Sequence, residues 1–481
     1  MAHELGRREF LQASVATGAI CFGLSQFASA QTAAGTPVLV SPGCRGTKVK
    51  IARLYLVGTN KLWPTPKLDV NAERKRYEAE FDRMKDDFAD IDFAVDEIIE
   101  SAADVNKLGD RLQGVDGVLV IHMSMGTTDS LKQILAAKKP TVLFALPYSG
   151  HEWTGFGALR RQPEGALLEC MLTADMNELA AAVRPFRAIH HLREARILNI
   201  TARKDQAAYN DSIKKKFGTE TVIIDRDRVL KTYESIPEAD AQAEAERWMK
   251  QAQKVVEPSK EEIVRSCRLA LTFEKLLNEE KATVITADCY GSMYHQLPAF
   301  PCVGFVRLNN MGLGGICESD MAAAVTHIIL QGLCGKPAFI SDPTLDTSTN
   351  SIILAHCLGS IKMDGPKGEA APYRLRTIME RQEGCVPQVF MRKGKVTQAR
   401  LIGTDLMLYF TGDVTDAPDD ERGCRTKITV KVDGDAEKLW ENWSDGLHRS
   451  TVYGNLTKDL RRFCRFTGIR LVNEAEELPN A

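Results

Sequence analysis

The stretch "GGICESDMAAAVTHIILQGLCGKPAFISDPTLDTSTNSIILAHC", Gly314–Cys357, sets Glu318, Asp342, Asp346 and His356 into otherwise apolar sequence. Gly312, Gly314 and Gly315 lead into Cys317-Glu318. Ser319 then reads as a helix N-cap, with Asp320 in the first turn. The pattern predicts a helix from Asp320 to Cys334 that stops at Gly335 and Pro337, then a short strand over 337–341 with Asp342 directly after it. A helix of about fifteen residues descends roughly 22 Å. A turn and a five-residue strand climb back roughly 17 Å. Glu318 and Asp342 are therefore expected at one edge of a sheet, the edge where open α/β sheets bind ligands. Two carboxylates at a partly buried edge repel each other. Either one holds a proton or a cation lies between them, and oxygen ligands favour Mg2+ or Mn2+. Spacing alone leaves a capping and turn role open for the pair.

Outward from this stretch the pattern is that of alternating strands and helices. Apolar β-branched runs at 48–58, 92–98, 117–123 and 141–147 are separated by helical segments, including one over 71–90. A second series runs through 195–201, 221–225, two long helices across 237–280, and 282–289. Both series imply parallel sheets. After about residue 350 the sequence alternates in the β manner, and a helix at 456–467 closes the chain. The expected fold class is α/β: two Rossmann-like parallel-sheet domains, 48–190 and 191–349, the second carrying the carboxylates, followed by a β-rich C-terminal domain, 350–481. Neither α/β unit contains G-x-G-x-x-G or a Walker sequence, so nothing supports nucleotide binding. The 481 residues are too many for one core. A formal net charge of −2 gives no electrostatic reason to expect nucleic acid or an anionic membrane as partner.

The first thirty residues read separately. Arg7-Arg8, then Phe10-Leu11, a short weakly apolar run and Ala28-Ser29-Ala30 describe a cleavable signal. Its R-R-x-F-L core resembles the twin-arginine export signal, which implies a periplasmic or otherwise exported protein that folds before transport. No membrane association is expected after cleavage. Residues 31–47 are rich in Gly, Ser, Pro and Thr and read as a linker. The chain has twelve cysteines, an odd number once Cys21 leaves with the leader, and no C-x-x-C pair. That is neither a disulfide framework nor zinc-type spacing. Cys302, Cys317, Cys334 and Cys357 read as small core residues.

"GICESDMAAAVTHIILQGLCGKPAFISD" (315–342) resembles the metal-site segment of the L-fucose isomerase and L-arabinose isomerase superfamily. "GLHRSTVYGNLTKDLRRFCRFTGI" (446–469) resembles that family's closing segment, in which a metal-binding histidine precedes a strand and the last helix. "RLYLVGTNKLWPTPKLD" (53–69) and "GVDGVLVIHMSMGTTDS" (114–130) are similar in layout to its N-terminal domain. The resemblance implies a metal triad of Glu318, Asp342 and His448, with both carboxylates also acting as acid/base groups. It implies a manganese ion on two adjacent oxygens of a small-molecule sugar, and a homotrimer or homohexamer. His356 resembles a further site histidine. Trp63, His122 and Trp153 are candidates for contacting a sugar from the N-terminal part. The implied function is a metal-dependent aldose–ketose isomerase working through an enediol. The same scaffold could serve another sugar or sugar-acid reaction, as an epimerase or lyase. Two α/β units around a cleft also describe a periplasmic sugar-binding protein, against which the β-rich third part and the Glu318/Asp342/His448 set argue.

Overall fold

The computed structural model describes residues 39–41, 44–45, 47–58, 64–443 and 445–476. The signal stretch and Trp63 lie outside the described residues. Within the segment read as a linker, Leu39–Ser41 and Cys44–Arg45 form a short antiparallel pair. No helix among the described residues is long and apolar enough to cross a membrane.

The first parallel sheet has five strands in the spatial order Ile91–Ile99, Val49–Leu56, Gly117–His122, Thr141–Ala145, Leu168–Leu172. Its central strands are buried along their whole length, as the unbroken apolar runs require of a sheet covered on both faces. The second parallel sheet has four strands, in the order Gly314–Cys317, Val284–Ala287, Arg196–Ile200, Glu220–Ile224.

The C-terminal part is a closed barrel. Gly394–Ile402, Arg449–Tyr453, Phe339–Asp346, Ser351–His356, Thr426–Val432 and Leu406–Asp416 pair in a ring, and Gly394–Ile402 bonds back to Leu406–Asp416. Arg470–Asn473 adds a parallel strand to Leu406–Asp416. Closure removes the open edges an antiparallel sheet would otherwise present. The fold is thus two parallel-sheet α/β units with a β-rich barrel. A small sheet pairs Lys254–Val255, from the stretch that also supplies the second parallel sheet, with Tyr373–Arg376 and Val386–Val389.

One assignment differs in kind from the expectation. Asp342 does not follow a strand of the parallel sheet. It lies inside the strand Phe339–Asp346, which pairs antiparallel with barrel strands on both sides. The apolar run 337–341 is only the buried first half of that strand. Its half-buried, largely polar continuation through Asp346 lacks the apolar signal that marks a strand.

The helix between the carboxylates is Met321–Cys334, ended by Gly335 in the left-handed conformation. It is apolar on nearly every face and buried on nearly every face, as a helix wedged between layers must be. The hydroxyl of its Thr326 accepts the backbone N–H of Leu401, tying the helix to the barrel at 2.9 Å.

Gly314–Cys317, which delivers Glu318, is an edge strand of its sheet. The side chain of Asn309 covers that edge, accepting from Gly315 N at 2.8 Å and donating to Gly315 O at 3.1 Å. The helix Cys302–Asn310 crosses so closely that a Cβ on Gly315 would stand 2.3 Å from Phe305 Cα. Gly315→Ala is therefore expected to cost about 1–3 kcal/mol through overpacking. Chemical denaturation measures this, and an unchanged midpoint would mean that the helix is not seated against the strand.

Candidate active site

Three strand ends meet at the site, and register explains how. Ser341 pairs with Arg449, so Asp342 stands beside His448, the residue just before the neighbouring strand Arg449–Tyr453. On the other side Asp342 pairs with Ala355, which brings His356 to the same end of the barrel. Glu318 arrives from the carboxyl end of the parallel-sheet strand Gly314–Cys317. His448 Nε2 lies 3.3 Å from Asp342 Oδ1 and 3.6 Å from Glu318 Oε2. His356 Nε2 lies 3.7 Å from Glu318 Oε1, and the two imidazole centroids are 5.4 Å apart. Ligand atoms of Glu318, His356 and His448 all fall within 4.8 Å of one another. Glu318 and His448 also line a cleft of about 380 Å³ with Arg203, Gln206, Tyr209 and Asp320.

The turn that presents Glu318 is unusual. Glu318 and Ser319 both have positive φ, 62° and 55°. Two successive non-glycine residues in this region carry strain that surrounding structure must hold. Here the holding network runs from the buried Ser319 and Asn199 to the half-buried Gln206: Ser319 Oγ donates to Asn199 Oδ1 at 2.6 Å, Asn199 Nδ2 donates to Gln206 Oε1 at 2.7 Å, and Gln206 Nε2 donates to Ser319 O at 2.7 Å. The helix consequently starts one residue later than the sequence suggests. Asp320, not Ser319, is the N-cap, accepting from Ala323 N at 2.9 Å. Ser and Asp are equally good caps, and the left-handed turn decides between them by turning the Ser319 side chain inward. Asn199→Ala leaves the buried Ser319 hydroxyl only its long contact to Gln206 Oε1 at 3.4 Å and is expected to cost about 1–3 kcal/mol. Urea unfolding measures it, and a loss below a few tenths would remove the network as the holder of the turn.

Asp320 has a second task. Its Oδ2 is 3.0 Å from His448 Nδ1 and 2.8 Å from Arg400 Nη1. A hydrogen bond from Nδ1–H to Asp320 fixes the ring and turns Nε2 toward Glu318 and Asp342, the arrangement by which an outer carboxylate orients a metal-binding imidazole. Burial alone would raise the Asp320 pKa, but His448 and Arg400 outweigh it and hold the group well below the carboxylate range.

The inner groups are shifted oppositely. Burial raises Glu318, with Asp342, Asp320 and Glu380 adding repulsion that the attraction of His448 only partly offsets. Burial likewise raises Asp342, and Glu380 adds to it. Burial pushes His356 down to about 3, so its ring is neutral. Burial would depress His448 as well, but Asp320 and then Glu318 and Asp342 keep it above the ordinary histidine value. Carboxylates held together around an imidazole whose affinity for a proton they raise describe a site built for positive charge. His356 Nδ1, His448 Nε2 and Asp342 Oδ1 are buried and have no hydrogen-bond partner. Two imidazole nitrogens and carboxylate oxygens with such orphaned atoms fit a divalent cation of intermediate hardness.

His122 and Trp153 belong to the first parallel sheet and its following segment, and neither lines the cleft. Both His122 ring nitrogens are engaged, Nδ1 with Ser149 Oγ and Nε2 with Glu152 Oε2, each at 2.9 Å. Trp153 opens the helix Trp153–Arg160 and is 55% exposed. Sequence reasoning did not single out Asp320 as an orienting group, nor Asn199, Gln206 and Glu380. Only Asp320 carried any local signal, as a first-turn acid.

No family model matches the chain. Two curated relatives do match in part. A sulfoquinovose isomerase of Alkalicoccus urumqiensis is 22% identical over 270 residues, covering 53% of this chain and 58% of the relative. A sulfoquinovose isomerase of Clostridium sp. (strain MSTE9) is 24% identical over 206 residues, covering 40% of this chain and 44% of the relative. The chain thus spans about half the length of these relatives, and its similarity is to proteins named as sugar isomerases.

Proposed function

We propose that this chain is a divalent-metal-dependent aldose–ketose isomerase acting on a small sugar. The observation that carries the reading is the convergence of Glu318, Asp342, His356 and His448 from two different sheets, with the buried, unpaired His448 Nε2 3.3 Å from the unpaired Asp342 Oδ1 and His356 Nε2 3.7 Å from Glu318. The partial similarity to sulfoquinovose isomerases supports the reaction class. Glu318, Asp342 and His448 would hold the cation, Mn2+ or Mg2+ by ligand type, with His356 beside them. When bound, it would supply Lewis-acid stabilisation of negative charge on two adjacent sugar oxygens.

The remaining work falls to side chains. Aldose–ketose interconversion moves a proton between neighbouring carbons and redistributes another between their oxygens. Glu318 and Asp342 flank His448 Nε2 and can serve as the base that takes the carbon-bound proton and the acid that returns it. Their burial keeps either carboxyl nearer to neutrality than it would be in water. Asp320 keeps His448 aligned through Nδ1. The names of the relatives make a sulfonated sugar one substrate to try.

Incubation of the Mn2+-loaded protein with a panel of aldoses and sulfoquinovose in heavy water tests the proposal. Ketose formation with deuterium at C2 of recovered aldose, abolished by chelator, is the expected result. Tight sugar binding with no exchange would indicate a binding protein instead, and exchange followed by elimination or epimerisation would replace isomerisation.

A further inference from the structure

Beside the Glu318 group lies a second cluster of different chemistry. Cys357 follows the strand Ser351–His356, and Cys424 precedes Thr426–Val432. These strands pair antiparallel with His356 opposite Thr426, so both thiols sit at the same end of one ladder. Glu380 comes from the segment between Tyr373–Arg376 and Val386–Val389. The two sulfurs and a Glu380 carboxylate oxygen lie within 4.8 Å of one another. Cys357 is buried, Cys424 half-buried and Glu380 exposed, so the cluster has a dry side and a wet side. Tyr290, from the segment after Val284–Ala287, donates its hydroxyl to Glu380 Oε1 at 2.6 Å and fixes that carboxylate.

Packing explains a buried thiol, since cysteine behaves as a small apolar residue. It does not explain a carboxylate brought against two thiols by a tyrosine. Sulfur, sulfur and oxygen converging with one side open is the donor set of a borderline or soft cation. At Zn–S bonds of about 2.3 Å a tetrahedral ion holds its sulfurs roughly 3.7 Å apart, within the spacing the cluster allows. We propose that Cys357, Cys424 and Glu380 form a second metal site that takes a thiophilic divalent ion of the zinc class, separate from the oxygen- and imidazole-lined centre at Glu318. The two thiols bind as thiolates and release their protons to solvent. Tyr290 orients Glu380 from outside the ligand set. The fourth position faces water. An ion here cross-links three segments that are distant in sequence and fixes the residue next to His356.

The Glu318 centre contains no sulfur, which makes the two sites spectroscopically separable. Co2+ added to the reduced full chain should give a near-ultraviolet thiolate-to-cobalt charge-transfer band, bleached by Zn2+. The band should persist in His448→Ala and vanish in the double variant Cys357→Ser with Cys424→Ser. Should the double variant fail to fold, Cys424→Ser alone, altering a half-buried side chain, should weaken the band. A wild-type chain without the band overturns the proposal. So does a band unchanged in the folded variants, which would place the sulfur ligation at other cysteines of the chain.

Discussion

Replacing Asp342 by Asn is expected to lower turnover by at least about 100-fold, the scale of losing one acid/base group, while making the metal-free chain more stable at neutral pH. The first half follows from the position of Asp342 against His448 Nε2. The second follows from linkage. Burial and Glu380 raise the Asp342 pKa in the folded chain above its ordinary 3.8. The native state therefore binds this proton more tightly than the unfolded state, and stability falls as pH rises from 3.8 through the raised folded value. At neutral pH the group is charged beside Glu318 and costs stability. Asn keeps the shape and removes the charge. Thermal melting after chelator treatment should thus favour the variant near neutrality, with the advantage shrinking in acid as the wild-type carboxyl takes up its proton. Added Mn2+ should reverse the order, because ligand binding stabilises the chain that binds it better. A variant that melts lower without metal, or that retains turnover, would contradict the assignment of Asp342 to the reacting centre.

Asp320→Ala should show the largest loss of stability. It removes a helix cap, worth about 1 kcal/mol, and leaves Arg400, whose side chain is 9% exposed, without its carboxylate. Breaking a buried ion pair from one side costs about 3–5 kcal/mol. Arg400 keeps bonds to the carbonyls of Asp445 and His448, which favours the lower end. The variant also frees His448 Nδ1, and loss of such an orienting partner typically costs about 10–100-fold in metal affinity. Asp320→Asn retains a capping side chain and should lose less. The pH sign is opposite to that of Asp342. A folded pKa held below the ordinary 3.8 contributes stability that is present above that value and is lost as pH falls through the folded one, so wild type and Asp320→Asn should converge in strong acid. Urea unfolding across pH measures this. A wild-type advantage that persisted unchanged below the folded value would place the stabilising charge elsewhere.

Much of the architecture was legible because it rests on periodicity. Fully buried strands such as Gly117–His122 and Thr141–Ala145 are unbroken apolar runs, and the closing helix Thr457–Thr467 has a clear apolar face. What periodicity cannot carry is partner choice. The strand Phe339–Asp346 looks locally like the next strand of the second α/β unit, and only its cross-strand partners place it in the barrel. The same limit applies to the site. Glu318 and His356 stand out as polar residues ending apolar runs, but His448 is marked only by its resemblance to a known segment, and its neighbour Asp342 is set by strand register. Asn199 and Gln206 are ordinary in sequence and matter because two left-handed residues, Glu318 and Ser319, must be held. Cys357 and Cys424 show no metal-like spacing, since their proximity comes from a ladder between distant strands.

The proposed isomerase chemistry requires that Glu318, Asp342 and His448 hold one divalent cation. Titration of the chelator-treated chain with Mn2+, followed through the electron paramagnetic resonance of the free ion, tests it most directly. The wild-type chain should bind Mn2+ saturably, and both Glu318→Gln and His448→Ala, folded by circular dichroism, should lose that binding. Equal Mn2+ uptake by wild type and His448→Ala would contradict the account.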